Sequence, residues 1–413
     1  MTLRASKPAF NVREKLTELG RRFGLKGSEL AAAETVQEAR DLVSAGRKNF
    51  VINGSMMIYQ RGAGSTSTTG YYGPDRQRYM INYGTYSITR STGAPSEAGF
   101  AFSSKIDCTT AGTPTAGQHL THRISPLEGY DSEKFAYGTS GAKTSTVSFW
   151  IKCSYADTFA LAIVCHDNQR SCFRSFTINQ ANTWEYKTLT FPGDTSGNGA
   201  DNDNTLGLTL DLFIGGGTNF RGSSAPEGQW NTRPNNQDSY LTKNSTSFGT
   251  STSHTMNITG VQWEFGPNAT DFEHRSYGEE LALCKRYYQR WNGNDPDFNT
   301  YDSGGNRQGA TSVARATLIA HGHVHDSDDA NVSMMLDVEM RDNPTVDLPS
   351  GNNSIRLMVG PNIYDNATYV QENNCSRNIL SIFVDNGGAM TANQPASLIL
   401  RDANSYLALD AEI

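Results

Sequence analysis

The stretch VSFWIKCS (Val147–Ser154) alternates apolar residues at positions 147, 149, 151 and 153 with Ser, Trp, Lys and Ser. Successive side chains of a strand point to opposite faces of its sheet, so this alternation predicts a strand with one buried face. LGLTLDLFI (Leu206–Ile214) repeats the pattern, and further strand patterns cover residues 173–178, 184–191 and 256–265. We therefore predict a mainly β protein in which residues 49–275 form an antiparallel β-sandwich of jelly-roll type.

The composition agrees with this fold class. Charged residues make up 19% of the 413 residues, below the roughly 25% usual for globular domains, and there are 39 glycines. Glycine and short polar residues favour turns, which indicates many short strands joined by polar loops. The length exceeds one ordinary domain.

Residues 1–48 carry two short helical patterns that begin with capping-box pairs, Asn11 with Glu14 and Thr35 with Glu38. Two such helices cannot bury their apolar faces alone, so we predict a docking segment that packs on the following domain or on another protein. The apolar residues assigned to this docking role are Phe10, Val12, Leu16, Leu19, Val36 and Leu42.

The sequence after residue 275 predicts a connector and a second β domain. Ser276 and Glu279 form another capping-box pair, and residues 276–291 are helical in spacing. Strand patterns then cover residues 313–324, 332–340, 355–359, 379–384 and 397–400. We predict a short connector helix over 276–291 and a C-terminal β domain over 292–413.

Charge and cysteine usage limit the function classes. The formal net charge of −7 argues against nucleic-acid binding, although residues 1–48 carry ten basic and six acidic residues. That basic segment suits either an acidic partner or a solvated helix surface. The six cysteines show no CxxC pair, which predicts buried thiols in a protein assembled in a reducing cytoplasm. No apolar run approaches ~20 residues, so we expect no membrane insertion.

Four stretches mark the ends of the predicted modules. They are KPAFNVREKL (Lys7–Leu16), GRKNFVINGSMMIYQRG (Gly46–Gly62), ITGVQWEFGPNATDFEHRSYGEELALCKRYYQR (Ile258–Arg290) and YLALDAEI (Tyr406–Ile413). Together they resemble tail-fibre and receptor-binding proteins of tailed bacteriophages, especially short-tailed marine and cyanobacterial phages. In one departure, Asp75-Arg76-Gln77 lacks the Trp that usually follows Asp-Arg in that family. The loss concerns the packing of a structural strand more than function.

The resemblance implies a fold like that of carbohydrate-binding modules and a homotrimeric viral protein of the virion. It implies a phage tail fibre, assembled in the host cytoplasm, that docks on a tail, neck or adaptor protein through residues 1–48. Its expected activity is receptor-binding for host attachment, by adhesion to a host cell-surface glycan or lipopolysaccharide. Two alternatives remain: a purely structural tail or neck connector, nozzle- or head-associated, and a polysaccharide-degrading tailspike.

Catalytic motifs are missing from the sequence. There is no G-x-S-x-G, and Cys165 and His166 are chain neighbours whose side chains would diverge in a strand. Glu264 and Glu273 are conceivable acid and base residues for glycoside hydrolysis, but both fall in the stretch that the resemblance assigns to the scaffold. We predict a protein that is not an enzyme.

Glycan binding calls for aromatic faces beside amide and carboxylate groups. The polar loop around Trp230 has this composition. The candidate glycan-binding residues, which include three tyrosines elsewhere in the chain, are Trp230, Gln229, Asn231, Arg233, Tyr240, Tyr71 and Tyr72. The alternative is that Trp230 packs its loop onto the sheet or fills a subunit contact. Trp150, Trp184 and Trp263 lie in strand patterns, and we interpret them as core or interface residues.

Two stretches could hold a metal ion. His321, His323 and His325 would share a strand face, and copies around a threefold axis could supply nitrogen ligands to a transition metal. The Asp-rich loop 194–203 offers oxygen ligands for calcium. The alternatives are exposed strand histidines and a solvated loop, so the cofactor prediction is none, with these two sites as candidates.

Overall fold

The computed structural model describes residues 47–62, 64–220, 226–232, 247–292, 317–348, 355–372, 375–385, 388, 390–400 and 405–413. Residues 51–413 form one compact unit. The predicted N-terminal helices, with the six apolar residues assigned to docking, lie outside the described residues.

Two antiparallel sheets form a β-sandwich, which confirms the predicted fold class. The front sheet has the order β1 (Gly64–Thr66), β4 (Thr85–Ser91), β5 (Ser103–Thr110), β13 (Thr255–Phe265), β7 (Ser145–Cys153) and β10 (Glu185–Phe191). The back sheet has the order β12 (Asn231–Thr232), β9 (Arg170–Ile178), β8 (Asp157–Cys165), β11 (Leu208–Gly216), β6 (His119–Ile124), β3 (Gln77–Ile81) and β2 (Gly70–Tyr71).

The core between these sheets is built from the alternating residues of the sequence pattern. Val147, Phe149 and Ile151 of β7 are buried, and the ring of Phe149 meets that of Phe176 edge-on at 5.1 Å between centroids. Trp263 is fully buried, and its indole N–H donates to the Ser145 hydroxyl at 2.9 Å. Each large apolar side chain buried in this way contributes about 1.5–3 kcal/mol.

The outer face of the back sheet is covered. Ala162, Phe213 and their apolar neighbours on β8 and β11 form a cluster with Phe220, which follows β11. On the same face Arg123 pairs with Asp211 through two hydrogen bonds of 2.9 and 3.0 Å. Covering both faces explains why every residue of β11 is buried. The front sheet is also buried from Met256 to Glu264 of β13, and its outer face is open toward the edge strand β10.

The connector helix is shorter than predicted. A single turn, α1 (Gly129–Ser132), precedes it in the chain, and the connector itself is α2 (Tyr277–Lys285). It begins with the predicted capping box at Ser276. The prediction that the helix continues to residue 291 is wrong, because Tyr288–Asn292 forms strand β14 and pairs with residues 406–410. Backbone pairing with a distant strand overrides the local helical spacing.

The C-terminal region contains a closed barrel and a small sheet. The barrel has the order β15 (Thr317–Val324), β16 (Asp329–Met335), β20 (Ile379–Asp385), β19 (Asn362–Glu372), β18 (Ile355–Val359) and β21 (Pro395–Leu400). The small sheet has the order β14, β22 (Tyr406–Asp410) and β17 (Thr345–Asp347). The strand predicted over 332–340 begins earlier and ends at Met335. The limits of the sandwich at 49–275 and of the C-terminal domain at 292–413 stay predictions, whereas residues 288–291 of the predicted connector belong to strand β14.

Three of the four family-like stretches, together with Asp75-Arg76, meet in one buried cluster, which we call the motif junction. Its residues are Asn53, Gln60, Arg61, Asp75, Arg76, Glu280, Tyr287, Asp410 and Glu412. Glu412 forms ion pairs with both Arg61 and Arg76, and the Arg76 guanidinium lies 3.4 Å from the centroid of the Tyr287 ring. Burial alone would lower the pKa of Arg76, but the Glu412 carboxylate raises it above its usual value. These motifs therefore hold the sandwich, α2 and the last strand together.

Candidate functional site

The open face of the front sheet presents two aromatic rings side by side. On β7 the inward residues Phe149 and Ile151 leave Trp150 pointing outward, and Trp150 pairs directly with Tyr186 on β10. The two ring centroids are 5.4 Å apart at an interplanar angle of 47°. Tyr186 is 46% exposed and lies on β10, the edge strand of the front sheet.

A groove of about 550 Å³ runs beside this pair, a size typical of ligand sites. Ser148, Trp150 and Gly260 form its floor, and Tyr186 stands on one side. The other side is an aromatic cluster of Phe100, Phe272 and His274, whose ring centroids lie 4.8–5.5 Å apart. Thr270 and Asp271 add polar groups.

Gly260 gives the groove its depth. It lies at a register shift between Thr259 and Gln262 of β13 and has φ +62°. A Cβ atom on this residue would lie 2.6 Å from the Phe100 ring. Glycine is therefore required here both for the backbone conformation and for the close approach of that ring.

The loop that forms the groove wall is tied to the sheet by two side chains of β13. The Glu264 carboxylate accepts hydrogen bonds from the backbone N–H and the hydroxyl of Thr270 at 2.8 and 2.6 Å. Gln262 donates to Glu264 at 2.7 Å and accepts from the backbone N–H of Glu273 at 2.7 Å. The Glu273 carboxylate lies 3.4 Å from Arg275. The Glu264 carboxylate thus holds the loop on the sheet, and the Glu273 carboxylate contacts Arg275 within the same segment.

A second row of side chains lies on the same open face, one step along β7. Lys152 follows Trp150 at i+2, and its ammonium lies 5.2 Å from the centroid of the Trp184 ring. Asn257 of β13 pairs with Lys152 on one side and with Lys105 of β5 on the other. Asn257 is buried and its amide donates to the Ser103 hydroxyl at 3.1 Å, so the exposed part of this face combines aromatic rings with cationic groups. Such a surface can stack on sugar rings and bond their hydroxyl groups.

The predicted Trp230 loop lies elsewhere, beside the back sheet. The Trp230 indole N–H donates to the carbonyl of Pro192 at 2.7 Å, and its ring meets Tyr137 at 5.0 Å. These contacts correspond to the alternative in which Trp230 packs its loop. Gln229 is exposed and Asn231 is half-buried in β12, whereas Arg233 and Tyr240 lie outside the described residues. A glycan role for this loop stays a prediction.

Tyr71 and Tyr72 are both half-buried, at the edge of the back sheet. The Tyr71 hydroxyl donates to the carbonyl of Ile413, and the Tyr72 hydroxyl accepts from Thr66 at 3.0 Å. Burial raises the pKa of Tyr71 to about 12. The structure does not bring these tyrosines to the groove on the front sheet.

The residues predicted to bind metal do not form a ligand cluster in the described part of the chain. His321 and His323 are exposed on β15, and His325 lies just beyond the strand. In the Asp-rich loop, Asp194 is already paired with Arg170 through hydrogen bonds of 2.6 and 2.9 Å. Within the described part of the chain, no group of three His, Cys, Asp or Glu side chains is arranged to hold a metal ion. Both metal sites stay predictions.

Sequence reasoning missed Trp150 and Tyr186. The signal was present, because the alternation that buries Phe149 and Ile151 places Trp150 on the polar face of the same strand. A tryptophan on the polar side of a strand becomes a candidate for binding when other aromatic residues extend it into a contiguous patch, as Tyr186 does here. Tyr186 and the Phe100 wall come from distant strands and loops, and only the fold brings them together.

No family model matches this chain, and no curated protein matches it in sequence. Solved structures that it resembles include a putative sugar-binding protein from Bacteroides thetaiotaomicron, at 12% identity and a TM-score of 0.29, covering 53% of this chain and 100% of that one. They also include the family 11 carbohydrate-binding module of a cellulosomal cellulase of Clostridium thermocellum, at 12% identity and a TM-score of 0.25, covering 56% and 98%.

A third similar structure is the enzymatically active domain of tailspike protein 4 of bacteriophage CBA120, at 12% identity and a TM-score of 0.25. The alignment covers 53% of this chain and 21% of that one, so this chain matches about a fifth of the tailspike. With TM-scores below 0.5, none of these likenesses carries weight for function. In the described ranges, no helix has the length and apolarity needed to cross a membrane.

Proposed function

We propose that this protein is a glycan-binding adhesion subunit of a phage tail fibre and that its groove on the front sheet contacts the sugar. The observation that carries the proposal is the Trp150–Tyr186 pair on the open face of a sandwich whose other outer face is covered. The resemblance of the family-like stretches to phage tail-fibre proteins supports the phage assignment. Three of these stretches, with Asp75-Arg76, also build the motif junction.

Binding would rest on stacking and on many weak contacts. The Trp150 and Tyr186 rings lie against sugar C–H groups, and Ser148, Thr270 and Asp271 bond hydroxyl groups around them. In a homotrimer, three such grooves give an avidity far above that of one groove. Residues 1–48 dock on a tail, neck or adaptor protein, so the chain acts in the virion.

The proposed activity is adhesion without bond cleavage. The Glu264 carboxylate holds the groove loop and the Glu273 carboxylate contacts Arg275, and this supports binding over hydrolysis. Release of reducing sugars from host envelope material by the purified protein would contradict this part of the proposal and favour a polysaccharide-degrading tailspike.

The test is binding of the purified full chain to a panel of bacterial surface polysaccharides, neutral and acidic, with variants of the groove. Trp150→Ala and Tyr186→Ala remove stacking surface, and each should weaken binding at least about tenfold, as for central residues of binding sites. Tyr130→Ala is the matched control, since Tyr130 is 53% exposed but lies outside the groove. Equal binding by all three variants would reject the groove. A protein that binds no glycan in the panel would instead favour a structural connector.

A further inference from the structure

The second row on the open face carries a cation without an anionic partner. Lys105 in this row is paired with Asp107 at 2.9 Å. Lys152, by contrast, lies over the Trp184 ring, and no carboxylate of the described residues is within ion-pairing distance of it. Its side chain is half-buried, so its ammonium is held near the surface.

The charges on the face are also ordered along β7. Asp271 lies on the Ser148 side of Trp150, because its carbonyl accepts from Gln262, which pairs with Ser148. Lys152 lies on the other side of Trp150, about 6.6 Å further along the strand from the rise per residue. A ligand stacked on Trp150 therefore meets an acidic group at one end and a cation at the other.

We infer that the groove takes an acidic glycan, whose sugar ring stacks on Trp150 and whose carboxylate or phosphate group reaches Lys152, two residues along β7 and beyond the groove lining. This inference rests on the proposed function. An anionic substituent would supply the partner that Lys152 lacks, and a charge-assisted hydrogen bond is about twice as strong as a neutral one. The Trp184 ring also contacts the ammonium through a cation–π interaction, at 5.2 Å from the ring centroid.

The test uses acidic oligosaccharides that contain glucuronate, galacturonate or mannuronate, each beside its carboxyl-reduced neutral counterpart. Phosphorylated lipopolysaccharide and its dephosphorylated form make a second arm, which separates carboxylate from phosphate. Carboxyl reduction keeps the sugar ring and removes the charge, so affinity should fall about tenfold, as expected for a hydrogen bond to a charged group.

The variants are Lys152→Gln, which removes the charge, and Lys152→Arg, which keeps it. Lys152→Gln should bind the acidic glycan about tenfold more weakly and the neutral counterpart unchanged, whereas Lys152→Arg should retain most of the affinity. Lys143→Gln is the matched control, because Lys143 also lies over an aromatic ring, that of Phe265 at 4.4 Å, outside the groove. Wild-type binding should weaken as salt rises.

The outcomes separate the two proposals. One outcome is that Trp150→Ala abolishes binding while Lys152→Gln leaves it unchanged and removal of the anionic group from the glycan has no effect. That result rejects the acidic ligand and retains the glycan-binding groove. If neither Trp150→Ala nor Lys152→Gln changes binding, or if no glycan of either class binds, both proposals are rejected.

Discussion

Trp150 on β7 and Tyr186 on β10 lie directly opposite each other on the outer face of the front sheet, with ring centroids 5.4 Å apart. A cross-strand aromatic pair of this kind stabilises a sheet by about 0.5–1.5 kcal/mol beyond its buried area. Tyr186 remains 46% exposed on the edge strand, so part of the ring is accessible. The pair therefore combines a structural contact with a surface that a ligand can use.

Replacing Gly260 by alanine should damage the groove. The added Cβ would lie 2.6 Å from the Phe100 ring, and φ +62° is unfavourable for alanine, so we expect a loss of about 1–3 kcal/mol in the free energy of unfolding. Glycan binding should weaken as Phe100 shifts. Gly266→Ala is the control, since φ is +107° there but no atom lies within 4 Å of the added Cβ. Urea unfolding and binding assays would show the difference, and wild-type binding by Gly260→Ala would contradict the assigned role.

Replacing Glu412 by glutamine should destabilise the motif junction. Glu412 is 3% exposed and pairs with Arg76, which is fully buried, so the substitution leaves a buried cation without its counter-charge. We expect the free energy of unfolding to fall by about 3 kcal/mol, as when one partner of a buried pair is removed. Asp342→Asn should change it by less than about 0.5 kcal/mol, because Asp342 is 54% exposed. A Glu412→Gln variant as stable as the wild type would show that the junction is dispensable.

His122 should make the fold sensitive to acid. Burial lowers the pKa of His122 to about 3, and the ring is stacked on Tyr79 at 4.2 Å. Below the ordinary pKa of about 6.5 the unfolded chain binds a proton that the folded chain does not, so stability falls as pH falls. This group alone should remove about 2 kcal/mol between pH 7 and pH 5.

The measurement for His122 is the pH dependence of the free energy of unfolding between pH 7 and 5. His122→Gln should flatten that dependence even if the variant is less stable at pH 7. An unchanged slope in His122→Gln would mean that His122 is protonated in the folded chain.

The buried thiols should be unreactive in the folded chain. Burial raises the pKa of Cys153 and of Cys165 to about 11 and that of Cys172 to about 12, so little thiolate forms at pH 8. All six cysteines are free, and Cys375 is the one that is only half-buried. Mass spectrometry after iodoacetamide treatment should therefore find Cys375 modified first, and all six after unfolding in urea. Rapid native labelling of Cys153 would contradict the packing of β7.

The sequence predicted the sandwich well where one face of a strand is buried. The alternation in Val147–Cys153 and the capping box at Ser276 are local patterns, and the structure confirms both. Prediction failed where a distant partner decides the conformation. Tyr288–Asn292 has helical spacing but becomes a strand, because Tyr406–Asp410 offers backbone groups for pairing.

The sequence by itself determined which residues of each sandwich strand face inward, since the alternation of apolar side chains is a property of consecutive residues. It therefore also determined that Trp150 faces outward. The tertiary structure alone decided that this outward face stays open and that Tyr186, Gly260 and Phe100 surround Trp150. These residues are far apart in the chain, and strand order, which no local pattern encodes, brings them together.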